Sequence, residues 1–557
     1  MNRVASITPP GLPEEFKFPA VDVGSILRGG ARRYGDRVAF HKDGTDVTFT
    51  ELLSQAAAFA NALNNNGIGE GDVVAVHLPN CLEYPAIYFG IMMSGAAFGP
   101  TNPLLPPHDL AFQLSDCGAK AVVTWGPASA VLQSVREEIP ARLVITVDAE
   151  LPGAVTLSDF VADASTTPPP PIEDAATKLG HLAYTGGTTG RSKGVIITHA
   201  NIIANVLQSA RGGGSVPTLD AEGDLALDQV GSVEEWPTRL GTAVAINLTP
   251  WFHAMGAIGY LNLPIISGMT TVLHSRFDPG AYLADAEKFQ VTIIGGAPPI
   301  FVALIRHPDF QTRDLSSVRG LSSGAAPLPV AVIEALEARF PDAIIGEGYG
   351  LTEVTMAASG NPGWRSGIRK AGTVGISTYG ADICLMDPAG VEVGPGETGE
   401  VCVRGPQVMQ GYHNRPDATA ETLRDGWLHT GDIGSIDEDG YLSIVDRAKD
   451  MLLYKGYNVY PRELEEILHS HPDIAGAAVV GRKDDEVGEL PVAFVKLRDG
   501  IVATPQAIQD YVNERVVPYK KLREVHLVDE IPVSAAGKVL RRELRDSLAD
   551  VPTASTS

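Results

Sequence analysis

The chain has 557 residues, with 43 lysines and arginines against 67 aspartates and glutamates, a formal net charge of −24. This acidity argues against nucleic acid or an anionic membrane as a partner, because phosphate groups need a basic footprint. The 44% hydrophobic content excludes a largely disordered chain. The four cysteines (Cys81, Cys117, Cys384 and Cys402) lack CxxC spacing, which favours reduced thiols over a disulfide framework or a zinc knuckle.

The pattern up to about residue 445 alternates between strand and helix, which predicts α/β layers. Apolar residues recur at helical spacing over residues 52–63 and stop at Asn66-Gly67. A buried strand is predicted over residues 73–78, and another helix over residues 330–340.

Two later segments depart from this pattern. Residues 211–239 are Gly-rich, acidic and aperiodic, which predicts a surface loop, with a lid as the alternative. Residues 240–275 contain no charged side chain except histidine and are long enough to cross a bilayer. Polar residues and prolines such as Asn247 and Pro264 interrupt that stretch, so it is predicted as buried strand, loop, helix and strand. The N-terminus lacks the apolar core of a signal peptide, and a cytoplasmic protein without a transmembrane segment is expected.

The pattern changes after Asp446. A helix is predicted behind Pro461, short strands over 477–480 and 492–497, and a second helix over 506–516. Together they form a compact α+β unit. We therefore expect one domain over residues 1–446, a second over 447–549, and a disordered tail over 550–557.

The most informative segment is YTGGTTGRSKG, residues 184–194, between two apolar strands. Its glycines let backbone N–H groups converge on one point, its hydroxyl groups add donors, and Lys193 adds positive charge. These features suit a polyphosphate. The segment is not a P-loop, because GxxxxGK[ST] requires Gly before the Lys and Ser192 stands there. A Gly/Thr-rich hairpin without a ligand is the alternative.

This segment resembles the phosphate-binding signature of the adenylate-forming superfamily, which comprises acyl- and aryl-CoA synthetases, peptide-synthetase adenylation domains and firefly luciferase. Further segments resemble this superfamily's other motifs: an adenine-contacting turn (323–327), an adenine and magnesium segment (346–353), a ribose motif (427–432), a hinge (446–450), a thiol-acceptor segment (455–461) and a catalytic lysine loop (532–538). The resemblance implies a large N-terminal adenylate-forming domain of layered sheets and helices, followed by a small mobile α+β C-terminal domain.

The resemblance also implies a set of ligands and contacts. The ligands are ATP, Mg²⁺, coenzyme A and a small carboxylic acid. The implied nucleotide contacts are Thr185, Gly186, Gly187, Thr188, Thr189, Gly190, Lys193, Gly324, Ala325, Ala326, Pro327, Gly348, Tyr349, Gly350, Leu351, Thr352, Asp432 and Arg447. Thr185 and Glu353 would hold Mg²⁺. Lys455, Gly456 and Tyr457 would meet the thiol substrate after a swing about Lys449.

The chemistry explains why such residues are needed. A carboxylate is already ionised at neutral pH, so its attack on the α-phosphate of ATP requires no general base. The site must supply positioning and positive charge where negative charge accumulates. The resemblance implies that Lys538 supplies this positive charge. It also implies catalytic roles for Thr185 and Glu353. His253 falls where the superfamily often places a side chain beside the acyl carboxylate, and a core histidine is the equal alternative.

The acid itself is expected to be apolar. The predicted pocket segments (251–259, 294–298, 321–324 and 349–354) are rich in Gly and Ala and carry no obvious cation for a second charge. YTGGTTG and KGYNVYPRELEE are more similar to bacterial fatty-acyl-CoA synthetases than to plant hydroxycinnamate ligases. We expect a carboxylic acid–CoA ligase acting on a medium- or long-chain fatty acid.

Several alternatives stay open at this point. The enzyme could be an aryl, hydroxycinnamate or other short carboxylate ligase, or an acyl-AMP ligase serving a carrier-protein thiol. A non-catalytic nucleotide-binding protein is the alternative from another class. Oligomeric state is also open, a homodimer included.

Overall fold

A computed structural model describes residues 3–185, 192–394, 396–447, 450–455, 457–484, 486–534 and 538–549. Several predicted residues lie outside the described residues: Gly186, Gly187, Thr188, Thr189, Gly190, the hinge Lys449, Gly456 and the tail 550–557. Within the described ranges no helix has both the length and the apolar composition needed to cross a membrane.

The α-helices of the described residues are, in chain order, α1 Gly24–Tyr34, α2 Phe49–Asn65, α3 Glu83–Ser94, α4 Pro107–Asp116, α5 Gly126–Ser134, α6 Leu157–Val161, α7 His199–Gly212, α8 Ala254–Ala257, α9 Leu263–Ser267, α10 Pro279–Lys288, α11 Pro298–Arg306, α12 Asp309–Thr312, α13 Val330–Arg339, α14 Pro416–Thr422, α15 Pro461–His469, α16 Pro505–Asn513 and α17 Arg541–Ala549.

The strands are β1 Val38–Lys42, β2 Thr45–Thr48, β3 Val73–His77, β4 Ala97–Pro100, β5 Ala121–Thr124, β6 Leu143–Thr146, β7 Val155–Thr156, β8 Leu179–Thr185, β9 Lys193–Thr198, β10 Ser215–Leu219, β11 Leu225–Gln229, β12 Val244–Asn247, β13 Thr270–Leu273, β14 Ile293–Gly296, β15 Gly320–Ser323, β16 Ile344–Tyr349, β17 Ser359–Gly360, β18 Ile376–Ser377, β19 Asp382–Met386, β20 Thr398–Arg404, β21 Gly411–Tyr412, β22 Leu423–Arg424, β23 Trp427–Ile436, β24 Leu442–Arg447, β25 Leu452–Tyr454, β26 Tyr457–Val459, β27 Ile474–Asp484, β28 Gly488–Leu497 and β29 Glu524–Leu527.

Two large mixed sheets organise the N-terminal part. One has the order β18-β17-β16-β15-β14-β12-β13-β1-β2, and its strands β12 to β16 run parallel. The other has the order β21-β9-β8-β4-β3-β5-β6-β7. Helix α3 is buried along nearly its whole length, and one apolar cluster joins it to α2 and to strands of both sheets. The predicted class, layered α/β, is confirmed.

Hydrophobic spacing located the helices well. The helix predicted over 52–63 is α2, which starts with a capping box: the Glu51 N–H donates to the Thr48 hydroxyl at 3.2 Å, and the Glu51 carboxylate accepts from the Thr48 N–H at 2.8 Å. The helix predicted over 330–340 is α13. The strand predicted over 73–78 is β3, which ends one residue earlier at His77.

The uncharged stretch 240–275 folds as strand, helix and strand. Helices α8 and α9 are continuous through a π-helical turn over Ile258–Asn262. Such turns are frequent at functional sites. The carbonyl group of Tyr260 in this turn accepts a hydrogen bond from the Trp251 indole N–H at 3.0 Å.

The loop prediction for residues 211–239 is wrong. Strands β10 and β11 pair there as an antiparallel hairpin, in register from Ser215↔Gln229 to Leu219↔Leu225. The hairpin packs on α1, to which it is held by ion pairs. Composition alone gave no sign of this contact, because the partner helix lies almost 200 residues earlier in the chain.

The C-terminal part has its own sheet, β26-β25-β28-β27 with β29 beside β28, and its own apolar cluster. The predicted helices are α15 and α16, although α16 ends at Asn513, before the predicted limit. The strands β27 and β28 are longer than predicted because polar residues extend their hairpin. The domain limits 1–446 and 447–549 remain a prediction, and β24 runs one residue past the first of them.

Candidate active site

A cavity of about 1910 Å³ lies where β8, β15 and β16 end, where β9 begins, and beside the middle of β23. It collects predicted residues from all along the chain. Its lining includes Thr185, Lys193, His253, Gly324, Ala325, Ala326, Pro327, Gly348, Tyr349, Gly350, Leu351, Thr352, Glu353, Asp432, Arg447 and Lys538. Parallel strands bring their carboxyl ends to one edge of a sheet, which is the usual place for a ligand in α/β folds.

Lys455 and Tyr457, the predicted thiol-acceptor residues that the structure describes, are not part of this lining. Lys455 is exposed, and the Tyr457 side chain is 57% exposed, with its ring stacked on Tyr519 at 4.7 Å. The backbone of Lys455 has φ +51°, a left-handed conformation that is uncommon outside glycine.

The predicted ribose pair is held by strand register. Asp432 on β23 and Arg447 on β24 are directly paired residues, and their side chains form an ion pair at 3.3 Å. The Tyr349 hydroxyl donates to the Asp432 carboxylate at 2.7 Å. Burial, and secondarily the Asp432 charge, raises the pKa of Tyr349 well above its ordinary value. Tyr349 therefore stays a donor, and its hydrogen bond holds the Asp432 carboxylate in place at the cavity wall.

A residue that sequence reasoning missed, Glu400, positions this turn. Glu400 accepts hydrogen bonds from the Gly431 N–H at 3.0 Å and from His429 Nδ1 at 2.8 Å. The carboxylate thereby fixes the turn that precedes Asp432. Glu400 lies on the neighbouring strand β20, so only the β20–β23 pairing reveals the contact.

Glu353, a predicted Mg²⁺ ligand, accepts a hydrogen bond from the Tyr412 hydroxyl at 2.8 Å. The Lys193 Nζ lies 4.7 Å from the centre of the Tyr412 ring. Tyr412 thus contacts one cationic and one anionic residue of the predicted phosphate region. Nothing in the sequence marked Tyr412, because it lies on the short strand β21 that pairs with β9.

The backbone around Glu353 requires a glycine at position 350. A Cβ on Gly350 would lie 1.7 Å from the Met356 carbonyl oxygen, so only glycine fits there. Two non-glycine residues nearby, Ala325 and Thr355, both have φ +68°. Strained backbone of this kind clusters at functional sites.

His253 and Lys538 approach each other across the two parts of the chain. Burial, helped by the charge of Lys538, lowers the pKa of His253 to about 4. The ring is therefore neutral at pH 7. Its Nδ1 accepts a hydrogen bond from the Met255 N–H at 3.3 Å, which leaves the ring proton on Nε2. Of His253 and Lys538, only Lys538 therefore brings positive charge to this point.

Small residues line the deep part of the cavity. In the parallel register Gly295 on β14, Ser322 on β15 and Gly346 on β16 form one row across the sheet. Ser322 and Gly346 line the cavity, and so does Gly320 at the amino end of β15. A Cβ on Gly320 would make only ordinary contacts, the nearest with the Thr238 hydroxyl at 3.7 Å. The sheet therefore leaves open space over β15 and β16, whereas Tyr260 fills the space over Gly295 on β14.

Methionine side chains border this space. A Cβ on Gly324 would lie 3.1 Å from Met255 Sδ, and a Cβ on Gly259 would lie 3.0 Å from Met356 Sδ. Met269 lines the cavity farther down. Methionine is flexible and polarizable, and it adapts to ligands of varied shape.

Six arginines that the sequence analysis did not assign also line the cavity: Arg211, Arg239, Arg319, Arg462, Arg541 and Arg542. Two of them, Arg239 and Arg319, border its deep part. They lie at the amino ends of the strands, away from the predicted nucleotide residues. Each guanidinium donates to backbone carbonyl groups: Arg239 to Gly231 at 3.2 Å, and Arg319 to Ser316 at 2.6 Å. The sequence analysis expected no cation at the pocket because its four predicted segments contain none. Arg239 and Arg319 lie outside those segments.

Comparison with protein families gives two matches. The model for the AMP-binding enzyme family matches residues 27–413, and that for the AMP-binding enzyme C-terminal domain matches residues 463–538. The 4-coumarate–CoA ligase 2 of Oryza sativa subsp. japonica is 37% identical over 526 residues, which cover 91% of this chain and 88% of that protein. The long-chain-fatty-acid–CoA ligase of Bacillus subtilis (strain 168) is 34% identical over 563 residues, 96% of each chain.

Solved structures of CoA ligases and synthetases are also similar to this chain. An anthranilate CoA ligase in complex with anthranoyl-AMP has a TM-score of 0.85 at 26% identity, over 95% of this chain and 98% of that chain. The fatty acyl CoA synthetase of Mycobacterium tuberculosis has a TM-score of 0.71 at 28% identity, over 95% and 99%.

Proposed function

This chain belongs to the AMP-binding enzyme family and is an AMP-forming acid–thiol ligase, and we propose that its acid is an apolar, medium- or long-chain fatty acid. ATP and coenzyme A are its co-substrates. The acid, the metal and the residue roles are the proposed part.

The depth of the cavity carries this proposal. Its lining reaches from Gly324 at the carboxyl end of β15 to Gly320 at the amino end. Four residues of strand correspond to about 13 Å along the sheet. An extended alkyl chain fills such a space, with its carboxylate at the nucleotide end near His253. Apolar and small side chains along the floor favour CH₂ groups, each worth about 0.8 kcal/mol when buried.

Hydroxycinnamate is the second candidate, because the 4-coumarate–CoA ligase 2 of Oryza sativa is 37% identical to this chain, against 34% for the fatty-acid ligase. A planar aromatic acid would occupy the upper part of the cavity and leave the space over Gly320 unfilled. The space over Gly320 favours the alkyl chain, whereas the adaptable side chains of Met255, Met269 and Met356 suit either acid.

The residues present fit Mg²⁺. Glu353 supplies a carboxylate and Thr185 a hydroxyl group, and both line the cavity beside Lys193. Hard oxygen donors in small number suit Mg²⁺, which takes its remaining ligands from water and substrate phosphates. The ion would supply neutralisation of the phosphate charge.

In the first half-reaction a carboxylate oxygen of the acid forms a bond to the α-phosphorus of ATP while the bond to pyrophosphate breaks. Asp432 and Arg447 would bind the ribose, and Lys193 the departing phosphates. Lys538 would stabilise the charge that grows between carboxylate and α-phosphate. Neutral His253 would donate its Nε2 proton as a hydrogen bond to the carboxylate without adding charge.

In the second half-reaction the sulfur of coenzyme A bonds to the acyl carbon, the bond from that carbon to AMP breaks, and the thiol proton passes to solvent. The arrangement described here has Lys538 at the cavity and Lys455 and Tyr457 outside it. That arrangement suits the first half-reaction. A swing of the C-terminal domain about residue 449 would exchange the two surfaces.

A pyrophosphate-exchange panel tests the proposal. Saturated straight-chain acids, 4-coumarate, benzoate and dicarboxylates are compared with ATP and Mg²⁺, with and without coenzyme A. We expect exchange without coenzyme A, with the largest kcat/KM for a medium or long alkyl acid. A best substrate that is aromatic or carries a second charge would contradict the assignment of the acid.

A further inference from the structure

The segment 211–239, which belongs to no predicted motif, contributes a wall of the cavity. Its lining residues are Arg211, Gly212, Gly213, Ser215, Gln229, Trp236, Thr238 and Arg239. We propose that this segment, here called the end wall, closes the acyl cavity at the end opposite the nucleotide, and that Thr238 and Arg239 set the length of acyl chain that the enzyme accepts. This inference rests on the proposed fatty-acid function.

The position of Thr238 gives the first argument. Its hydroxyl group lies 3.7 Å from where a Cβ on Gly320 would be, so it faces the floor at the amino end of β15. The carboxyl end of the same strand leads to Gly324 and Met255 beside the predicted carboxylate site. An acyl chain that follows β15 downward therefore meets Thr238 and its neighbour Arg239.

The end wall is rigid enough to act as a stop. The Gln229 amide donates to the carbonyl groups of Thr238 at 2.8 Å and Gly213 at 3.2 Å, and it accepts from the Leu240 N–H at 2.9 Å. These three bonds join both ends of the segment. The Gln229 side chain thereby fixes the height of Thr238 over the floor.

A buried tryptophan fills the interior of the end wall. Trp236 is 1% exposed, and a Cβ on Gly214 or Gly231 would lie 2.5 Å or 2.7 Å from its ring. Both glycines also have positive φ, so two features of the backbone at these positions require glycine. The ring lies 5.9 Å from that of Trp364.

Ion pairs attach the end wall to the body of the protein. Arg28 on α1 pairs with Asp224 at 2.8 Å, and both side chains are buried. Arg32 pairs with Asp220 at 2.6 Å. A Cβ on Gly29 would lie 2.0 Å from the Leu225 carbonyl oxygen, so the hairpin backbone rests directly on α1. This contact anchors β11, and through Gln229 it anchors Thr238.

The chemistry of Arg239 suits the end of an alkyl cavity. Its guanidinium donates to the carbonyl groups of Val230 at 3.4 Å and Gly231 at 3.2 Å, on the same segment. Long cationic side chains place their methylene stems against apolar surface while the head stays polar. The stem of Arg239 would meet the terminal methyl group of the acid. The ligand class is thus a straight alkyl chain of defined length.

The test is the chain-length profile of four variants. kcat/KM for pyrophosphate exchange is measured over saturated acids from butanoate to octadecanoate, and thermal unfolding verifies each fold. The wild-type profile should rise about fourfold per methylene up to an optimum. Arg239→Ala should move the optimum to acids longer by about the number of methylenes removed, two or three. Thr238→Leu should move it to shorter acids.

Two controls sharpen the result. Arg239→Met keeps a long stem without charge and should retain the wild-type optimum. Arg313→Ala removes an arginine of similar exposure that pairs with two carboxylates far from the cavity lining, and it should change nothing. An unchanged optimum in both Arg239→Ala and Thr238→Leu would overturn the proposal. So would a wild-type preference for ω-carboxylated acids that is lost in Arg239→Met. If no alkyl acid supports exchange in the wild type, the proposed function fails instead.

Discussion

At the scale of single residues, the site is built from side chains that hold one another in place before any ligand arrives. Asp432 receives the Tyr349 hydroxyl and pairs with Arg447, so its carboxylate is already oriented. His253 is neutral, and its Nδ1 accepts a hydrogen bond from the Met255 N–H. Such preorganisation removes the cost of ordering these groups when substrate binds.

Replacement of Asp432 by asparagine tests the ribose contact. Asp432→Asn keeps an acceptor for the buried Tyr349 hydroxyl but removes the charge. Hydrogen bonds to charged groups are worth about 1.5–3 kcal/mol, so the dissociation constant of ATP should rise about 10- to 100-fold. Calorimetric titration measures it. Asp382→Asn, at an exposed carboxylate paired with Arg404, is the control and should bind ATP normally. Equal affinity in both variants would remove Asp432 from the site.

At the scale of elements, strand β15 joins the two ends of the proposed reaction path. Its carboxyl end leads into the turn with Ala325, and its amino end lies below the end wall. Because Gly320, Ser322 and Gly346 are small, the sheet itself provides the floor of the proposed acyl cavity. The sequence shows these residues, but it does not show that they share one face of adjacent strands.

A graded series at Gly320 tests the floor. A Cβ at this position meets no clash in the fold, since its nearest neighbours lie at 3.7 and 4.0 Å, and Ala, Val and Leu form a series of increasing size from that point. Each added carbon should occupy space of the acyl chain and shorten the preferred acid in steps. The kcat/KM profile over straight-chain acids measures the effect. Normal profiles in all three variants, with an unchanged unfolding temperature, would show that the acyl chain does not run along β15.

At the scale of the whole molecule, the protein buries histidines that are neutral when folded. Burial lowers the pKa of His77 to about 4, that of His181 to about 3 and that of His199 to about 4. An unfolded histidine titrates near pH 6.5. Between about pH 6.5 and pH 4 these histidines are therefore protonated in the unfolded chain but not in the folded chain. The free energy of unfolding consequently falls as pH falls.

The size of this effect is measurable by denaturant unfolding at several pH values. Each histidine contributes up to about 1.4 kcal/mol per pH unit in that window, so three contribute about 4 kcal/mol per unit at most. His77→Gln should reduce the proton uptake on unfolding at pH 5 by about one proton. The same uptake in wild type and variant would mean that His77 is protonated in the folded protein.

A feature could be predicted from the sequence when the residues that form it lie within a few positions of one another. The glycine-rich phosphate segment, the turn with Ala325 and the ribose turn with Asp432 are chemical signatures within a few residues, and the family resemblance they indicated is confirmed by the two family matches. Their assignment as site residues remains a prediction, which the shared cavity supports.

Other features depend on contacts between distant segments. Glu400 supports the ribose turn only through the pairing of β20 with β23, and Tyr412 reaches Glu353 only because β21 pairs with β9. The hairpin of β10 and β11 is held on α1 by ion pairs of Arg28 and Arg32 with its acidic residues. Hydrophobic periodicity carries no information about such pairings, so sequence analysis predicted a loop.

We propose that the cavity described here, with Lys538 beside His253, performs the first half-reaction and that a different arrangement performs the second. Single-turnover kinetics of Lys538→Ala test it most directly, with acyl-adenylate formation and conversion of supplied acyl-adenylate by coenzyme A measured separately. Loss of a charge that stabilises the transition state costs on the order of 10²–10³ in rate. We predict such a loss in adenylate formation and near-normal thioester formation. Equal losses in both steps would contradict the account, because Lys538 would then serve one arrangement common to both half-reactions.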